Sequence, residues 1–172
     1  NGRTICDNGK RFYIGTVREK IGDSRSKTAM SKQTALFNIL KQTEWQIKTS
    51  KLKTRIERLP IDDRVENYKA IQKAGIYEIK FERLREKGID VKLATDLIVG
   101  AIDKQYDTAI VISSDSDLIP AIDWVRHRTK KKIEYIGFSI LDKADPRNNT
   151  TPLLSMIPKT DIQRTLVEAD LK

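Results

Sequence analysis

A chain of 172 residues with 38% hydrophobic and 33% charged residues is long enough to bury a core, and its composition argues against wholesale disorder. The net charge of +9 is compatible with a polyanionic partner. The single cysteine and single histidine, Cys6 and His127, argue against a disulfide framework and a structural zinc site. The sequence has no run of about 18 apolar residues, so we expect no membrane span, and we expect a cytoplasmic location.

The first half of the chain predicts three strands and a basic helix. Apolar and β-branched residues predict a strand over 10–19, and a helical apolar pattern with a basic outer face follows at about 27–41. Alternating patterns predict strands over 45–55 and 77–84, which we expect to pair with each other. Residues 56–76 are interpreted mainly as an insertion that holds a short helix.

From residue 90 onward the pattern alternates between helix and strand. Asp90 is a natural N-cap, and Pro120 falls near the first turn of a helix, where proline is tolerated. Such alternation is typical of an α/β protein with a parallel sheet. The predicted elements are a helix at 90–104, a strand at 107–113, a helix at 116–130, a strand at 132–138, and a terminal helix at 159–172 capped by Thr160 or Asp161.

Two aspartates one residue apart follow the predicted strand 107–113. Ligands of parallel sheets bind at the carboxyl ends of the strands, which is where Asp115 and Asp117 fall. Neighbouring carboxylates repel each other unless a cation compensates, and Mg²⁺ prefers oxygen ligands. Alternatively, one aspartate caps the next helix and the other is solvated. Periodicity alone favours Lys92 and Asp96 as an i,i+4 pair on a solvated helix face.

The segment 86–139 resembles the core of the NYN domain family, the LabA-like proteins within the PIN-like nuclease superfamily. The resemblance implies a PIN-like three-layer α/β/α fold with a mainly parallel central sheet over residues 1–158, which the predicted terminal helix 159–172 packs on or extends. The matching residues are Lys87, Gly88, Asp90, Lys92, Asp96, Ser113, Ser114, Asp115, Asp117, Leu118, Pro120 and Gly137.

The resemblance also implies a metal-dependent ribonuclease that hydrolyses RNA phosphodiester bonds with bound Mg²⁺ or Mn²⁺. A non-catalytic RNA-binding or regulatory module on the same fold is the alternative. A homo-oligomer and a bacterial or phage source are further expectations. The implied residues are Asp96, Asp115 and Asp117 as metal ligands, these three with Asp90 as catalytic residues, and Lys92, Ser113, Ser114 and Ser116 as substrate-binding residues.

The chain departs from the family pattern at its start. The family begins with a strand that ends in Ile-Asp-Gly-x-Asn, whose aspartate is a main metal ligand. Asp7 and Asn8 follow no hydrophobic strand, so we expect that first strand and helix to be missing before Asn1. A site with one ligand fewer is expected to bind its cation more weakly.

Basic residues are numerous enough to form an RNA-binding rim. Those near the end of a helix also have a simpler explanation, since lysine and arginine there suit the helix dipole. The candidates are Arg18, Lys20, Arg25, Lys27 and Lys32, then Lys48, Lys51, Lys53 and Arg55, and then the run Arg126, Arg128, Lys130, Lys131 and Lys132.

Overall fold

The structure, a computed structural model, describes residues 2–17, 22–85 and 87–171, apart from the side chains of residues 51 and 84. Within these ranges, no helix is long and apolar enough to cross a membrane. The strands are β1 (Arg11–Thr16), β2 (Gln46–Lys51), β3 (Lys53–Pro60), β4 (Glu78–Arg85), β5 (Thr108–Val111), β6 (Lys132–Ser139) and β7 (Ile162–Val167). The helices are α1 (Ser24–Gln42), α2 (Tyr68–Lys73), α3 (Ile89–Ile102) and α4 (Ile119–Arg128), with 3-10 turns at Ser116–Leu118, Pro146–Asn148, Leu154–Lys159 and Glu168–Leu171.

The described strands form three sheets. β5, β6 and β7 make a parallel sheet with β6 in the middle, and helix α4 connects β5 to β6. β3 and β4 make an antiparallel pair, and β1 pairs with β2. The predicted α/β class is therefore confirmed, and so is the predicted parallel pairing of the strands that flank α4.

The chain divides into two compact units. The first comprises the segment that ends at Tyr13, the short segment 44–46 and everything from Asp90 onward. The second comprises 14–43 and 47–89, and it contains α1, α2, β3 and β4.

The core of the first unit lies between α3, α4 and the parallel sheet. Ile122 and Val125 of α4, Ile133 of β6 and Met156 of a 3-10 turn have no exposed surface. Leu97 of α3 belongs to the same cluster. Pro120 lies in the first turn of α4, where its missing N–H would have no helical partner, so the predicted position of this proline is confirmed.

The predicted terminal helix at 159–172 is wrong. Residues Ile162–Val167 form β7, parallel to β6, and a 3-10 turn containing Pro158 precedes it. Neither Thr160 nor Asp161 caps an α-helix there. Ile162 and Leu166 are the half-buried positions of this strand, and their spacing of four suits a helix as well as a strand. The segment forms a strand because pairing with the edge of β6 satisfies the backbone hydrogen-bonding groups of both strands.

Asp161 instead ties the start of β7 to β6. Its backbone N–H donates to Ile133 O at 2.8 Å, and its Oδ2 accepts from Ile133 N–H at 2.8 Å. Arg126 of α4 lies 2.9 Å from Asp161 Oδ1. Burial opposes the charge of this carboxyl, but these donors outweigh it and hold the pKa of Asp161 below its usual range.

Glu134 in the middle strand is a buried carboxylate with two cationic partners. It is 2% exposed, and it accepts hydrogen bonds from Arg3 and from Arg164 of β7. Burial would raise the pKa of Glu134, but the two guanidinium groups outweigh burial and lower it. The sheet thus contains a satisfied charge cluster at its centre.

Two further predictions need correction. The single strand expected over 45–55 is interrupted at Leu52, and the segment 77–84 pairs with β3 alone, while β2 pairs with β1. Asp90 is not the N-cap of α3, because the helix already begins at Ile89 and Asp90 lies in its first turn. An acidic residue in that turn still suits the helix dipole.

Candidate functional site

The two aspartates after β5 lie in one tight turn. Asp115 N–H donates to Ser113 Oγ at 3.1 Å, and Asp115 Oδ1 accepts from Asp117 N–H at 2.8 Å. Asp115 is thereby the N-cap of the 3-10 turn Ser116–Leu118 that leads into α4. Short polar side chains favour this local bonding, so the sequence itself dictates the turn. Asp115 is half-buried and Asp117 is exposed.

This turn bears out one of the two interpretations of the aspartate pair, and binding of a cation stays a prediction. One aspartate does cap the following segment, as the simpler interpretation expected. The turn begins at Asp115, four positions after Val111 at the carboxyl end of the parallel strand β5, which is the end where α/β proteins bind ligands.

The carboxylate of Asp96 contacts two residues of β1. Tyr13 Oη donates to Asp96 Oδ2 at 2.8 Å, and Arg11 Nη1 lies 3.7 Å from the same oxygen. Burial, followed by the hydrogen bond to the carboxylate, raises the pKa of Tyr13 far above its usual range, so the phenol stays a proton donor. Arg11 thus places a positive charge beside this half-buried carboxylate.

The fit to a divalent cation can be judged from these contacts. Carboxylate oxygens are the ligand type that Mg²⁺ and Mn²⁺ prefer. Across residues 2–17, 22–85 and 87–171, however, no three His, Cys, Asp or Glu side chains come together in a group that could hold a metal ion. Asp115 and Asp117 share a turn, whereas Asp96 is engaged by Arg11 and Tyr13. The described arrangement does not form the expected three-carboxylate site.

The remaining predicted site residues lie on the surface of the same unit. Asp90 and Lys92 are exposed on α3, in or next to its first turn. Ser114 and Ser116 are exposed on either side of Asp115, and Ser113 is half-buried beneath it. The structure thus gathers the three serines around Asp115.

Arg11 and Tyr13 are the partners of Asp96 that the sequence did not predict. No spacing in the sequence links Tyr13 to a carboxylate 83 residues away. Arg11 also donates to Gln105 Oε1 at 3.1 Å. It lies in a polar cleft of about 530 Å³ lined by Cys6, Asp7, Asn8, Arg11, Gln46 and Gln105.

The predicted basic rim is only partly available to a ligand. Arg126 is engaged by Asp161, and Lys131 lies 2.9 Å from Asp107. Arg25, Lys27 and Lys32 are exposed on α1. Arg18, Lys20 and the side chain of Lys51 lie outside the described part of the chain.

The parallel sheet, whose strands β5 and β6 are joined by helix α4, defines an α/β protein, and its two aspartates follow strand β5. The model of the NYN domain family matches residues 5–155, so the chain belongs to that family, and its fold is of the PIN-like α/β kind. PIN-like nucleases of this kind generally use divalent metals and act on RNA.

The chain was also compared with solved structures and with curated proteins. A solved protein of unknown function from Vibrio parahaemolyticus is 19% identical, with a TM-score of 0.45. The similarity covers 90% of this chain and 67% of that one. No curated protein matches the chain significantly.

Proposed function

We propose that this NYN-domain protein is a ribonuclease that hydrolyses RNA phosphodiester bonds and depends on Mg²⁺ or Mn²⁺. One observation carries the proposal: Asp115 and Asp117 lie side by side in the turn after the parallel strand β5 of an NYN domain. Asp96 and Asp90 complete the proposed acidic set. Lys92 and the serines at 113, 114 and 116 are the proposed contacts to RNA phosphates.

The charges on these residues explain why a cation is part of the proposal. Two carboxylates in an exposed turn repel a phosphodiester, which is itself negative, and Lys92 alone leaves an excess of negative charge. The described positions of Asp96, Asp115 and Asp117 do not gather as one ligand set. We therefore assign no catalytic step to a bound metal and base the roles of these residues on their match to the family.

A second candidate is a non-catalytic RNA-binding or regulatory module. The specific observation in its favour is the contact of Asp96 with Tyr13 and Arg11, because a guanidinium occupies the charge-compensating position that a cation would take. The net charge of +9 supports RNA as the partner in both cases. A cytoplasmic location and a homo-oligomeric state remain predictions.

Cleavage of labelled single-stranded RNA tests the proposal. We expect cleavage with Mn²⁺ or Mg²⁺, loss of cleavage in EDTA, and loss in Asp115→Asn and Asp117→Asn. Asparagine caps a turn as well as aspartate does, so Asp115→Asn removes charge while keeping the fold. Asp63→Asn, an exposed carboxylate of the second unit, is the matched control and should cleave normally. RNA binding without metal-dependent cleavage in any of these proteins would favour the second candidate.

A further inference from the structure

The antiparallel pair β3–β4 has two faces that differ sharply in charge. The register sets Lys53 directly opposite Arg85 and Arg55 directly opposite Arg83. Side chains alternate between faces along a strand, so these four cations share one face, which we call the basic hairpin face. The same face continues with Glu57 opposite Phe81 and Leu59 opposite Ile79.

Directly opposed like charges destabilise a strand pair, and this face has two such pairs in succession. Glu57 is the one acidic residue among its eight paired positions. It lies 2.7 Å from Arg85 Nε and 3.5 Å from Arg83 Nη1. Four cations and one carboxylate leave a formal charge of +3 on this face.

The opposite face of the hairpin shows that this excess is not imposed by the fold. Arg58 is directly opposite Lys80 there, which is again a like-charged pair. Glu78 lies 3.9 Å from Arg58 Nη1 and 3.4 Å from Lys80 Nζ, and Glu82 shares that face. Two cations and two carboxylates make it neutral. The charge excess is therefore confined to the basic hairpin face.

The basic hairpin face is open to solvent. The side chains of Arg83 and Arg85 are 59% and 54% exposed although both contact Glu57. Phe81, Leu59 and Ile79 are exposed beside them. A face that combines an excess of cationic side chains with an exposed aromatic ring has the two features by which proteins bind single-stranded nucleic acid.

We infer that the basic hairpin face binds the backbone of single-stranded RNA, with Phe81 as a stacking surface for a base. The inference rests on the proposed function in one respect, that RNA is the partner. Successive cation pairs on one face are two residues apart, which is about 7 Å along the strand. A chain with one phosphate per nucleotide can lie along them and relieve the repulsion within each pair.

Two matched double variants test this inference. Arg55→Gln/Arg83→Gln removes one opposed pair from the basic hairpin face, and Arg58→Gln/Lys80→Gln removes the opposed pair of the neutral face. Both change the net charge equally and alter the same two strands. Affinity for a labelled single-stranded RNA is measured in EDTA, so that no cleavage interferes, over a series of salt concentrations. Thermal unfolding of each protein is followed in parallel.

We expect Arg55→Gln/Arg83→Gln to weaken RNA binding at least about tenfold at low salt, and to reduce the slope of log affinity against log salt by about 1.4 for two lost phosphate contacts. Its unfolding temperature should not fall, because a repulsive pair is removed. Arg58→Gln/Lys80→Gln should change affinity less than about threefold. Phe81→Ala should weaken binding without changing the salt slope.

Each other result has a definite meaning. Equal losses in the two double variants would refute the basic hairpin face while leaving RNA as the partner. Displacement of the RNA by polyglutamate at the same charge concentration, with no further loss in Phe81→Ala, would identify an acidic polypeptide as the ligand and refute the inference. A wild-type protein that binds no RNA at low salt would refute the proposed function itself.

Discussion

Removing the two guanidinium partners of Glu134 should destabilise the protein more than removing the carboxylate. In Arg3→Gln/Arg164→Gln, a carboxylate that is 2% exposed keeps its charge and loses both ionic partners. An uncompensated buried charge of this kind costs about 3–5 kcal/mol. In Glu134→Gln the remaining charges are the arginines, whose side chains are 55% and 56% exposed and stay hydrated. We expect a loss of about 1–2 kcal/mol there.

The pH dependence gives this prediction a sign. In the wild-type protein the folded pKa of Glu134 lies below its ordinary value of 4.5, so the cluster contributes stability above that pH and loses it as the pH falls through the folded pKa. In the double arginine variant no guanidinium group offsets the effect of burial, so the pKa of Glu134 in the folded protein is raised. Its carboxyl then takes up a proton on folding, and acid relieves the penalty.

Urea unfolding of the three proteins at about pH 7 and about pH 4.5 measures both effects. The stability gap between the double variant and the wild type should shrink on acidification by more than the gap for Glu134→Gln, which narrows only by the stability that the wild type itself loses. The reasoning would be refuted by a double variant no less stable than Glu134→Gln at pH 7. A gap that stays constant with pH would refute it as well.

Three other changes have defined outcomes. Asp115→Ala removes the cap of the turn after β5 and should cost about 1 kcal/mol, whereas Asp115→Asn should unfold at the wild-type urea concentration. Tyr13→Phe deletes the 2.8 Å hydrogen bond to Asp96 and should lower the free energy of unfolding by about 0.5–1.5 kcal/mol. An unchanged urea midpoint would mean that this hydrogen bond contributes nothing to stability. In Gly137→Ala the new Cβ would lie 2.8 Å from Pro152 Cβ, so we expect a loss of about 1–3 kcal/mol, and calorimetry showing no drop in melting temperature would contradict it.

The segment from α3 to β6 could be predicted from the sequence because each local signal agrees with the packing. The apolar face of α3, the short apolar and β-branched run of β5 and the early proline of α4 each agree with the element that forms there. The turn after β5 was predictable for the same reason, since the two hydrogen bonds that form it join Asp115 to near neighbours. The NYN resemblance read from these residues is confirmed by the family match over 5–155.

Where the sequence misled, long-range contacts decide the structure. Residues 162–167 become a strand because β6 offers an edge, and each residue of β7 pairs with a residue 28 positions earlier in the chain. The partner of Asp96 comes from β1, 83 residues before it, and no periodic pattern encodes that contact. Likewise, residue types alone do not tell which of the many cationic residues lie directly opposite each other on the two strands of a hairpin. Only the β3–β4 register separates the charged face from the neutral one.

The contacts of β7 restrict the parallel sheet to a single register. Arg164 is aligned with Ile136, and from there it reaches Glu134 on the same face of β6. A slip of one residue would turn Arg164 to the other face, leave Glu134 buried with one cation fewer, and separate Asp161 from Ile133. Hydrophobic contacts alone would tolerate neighbouring alignments of this short strand. The polar contacts at its start and middle exclude them, so these charges specify one arrangement of the sheet and raise the energy of the alternatives.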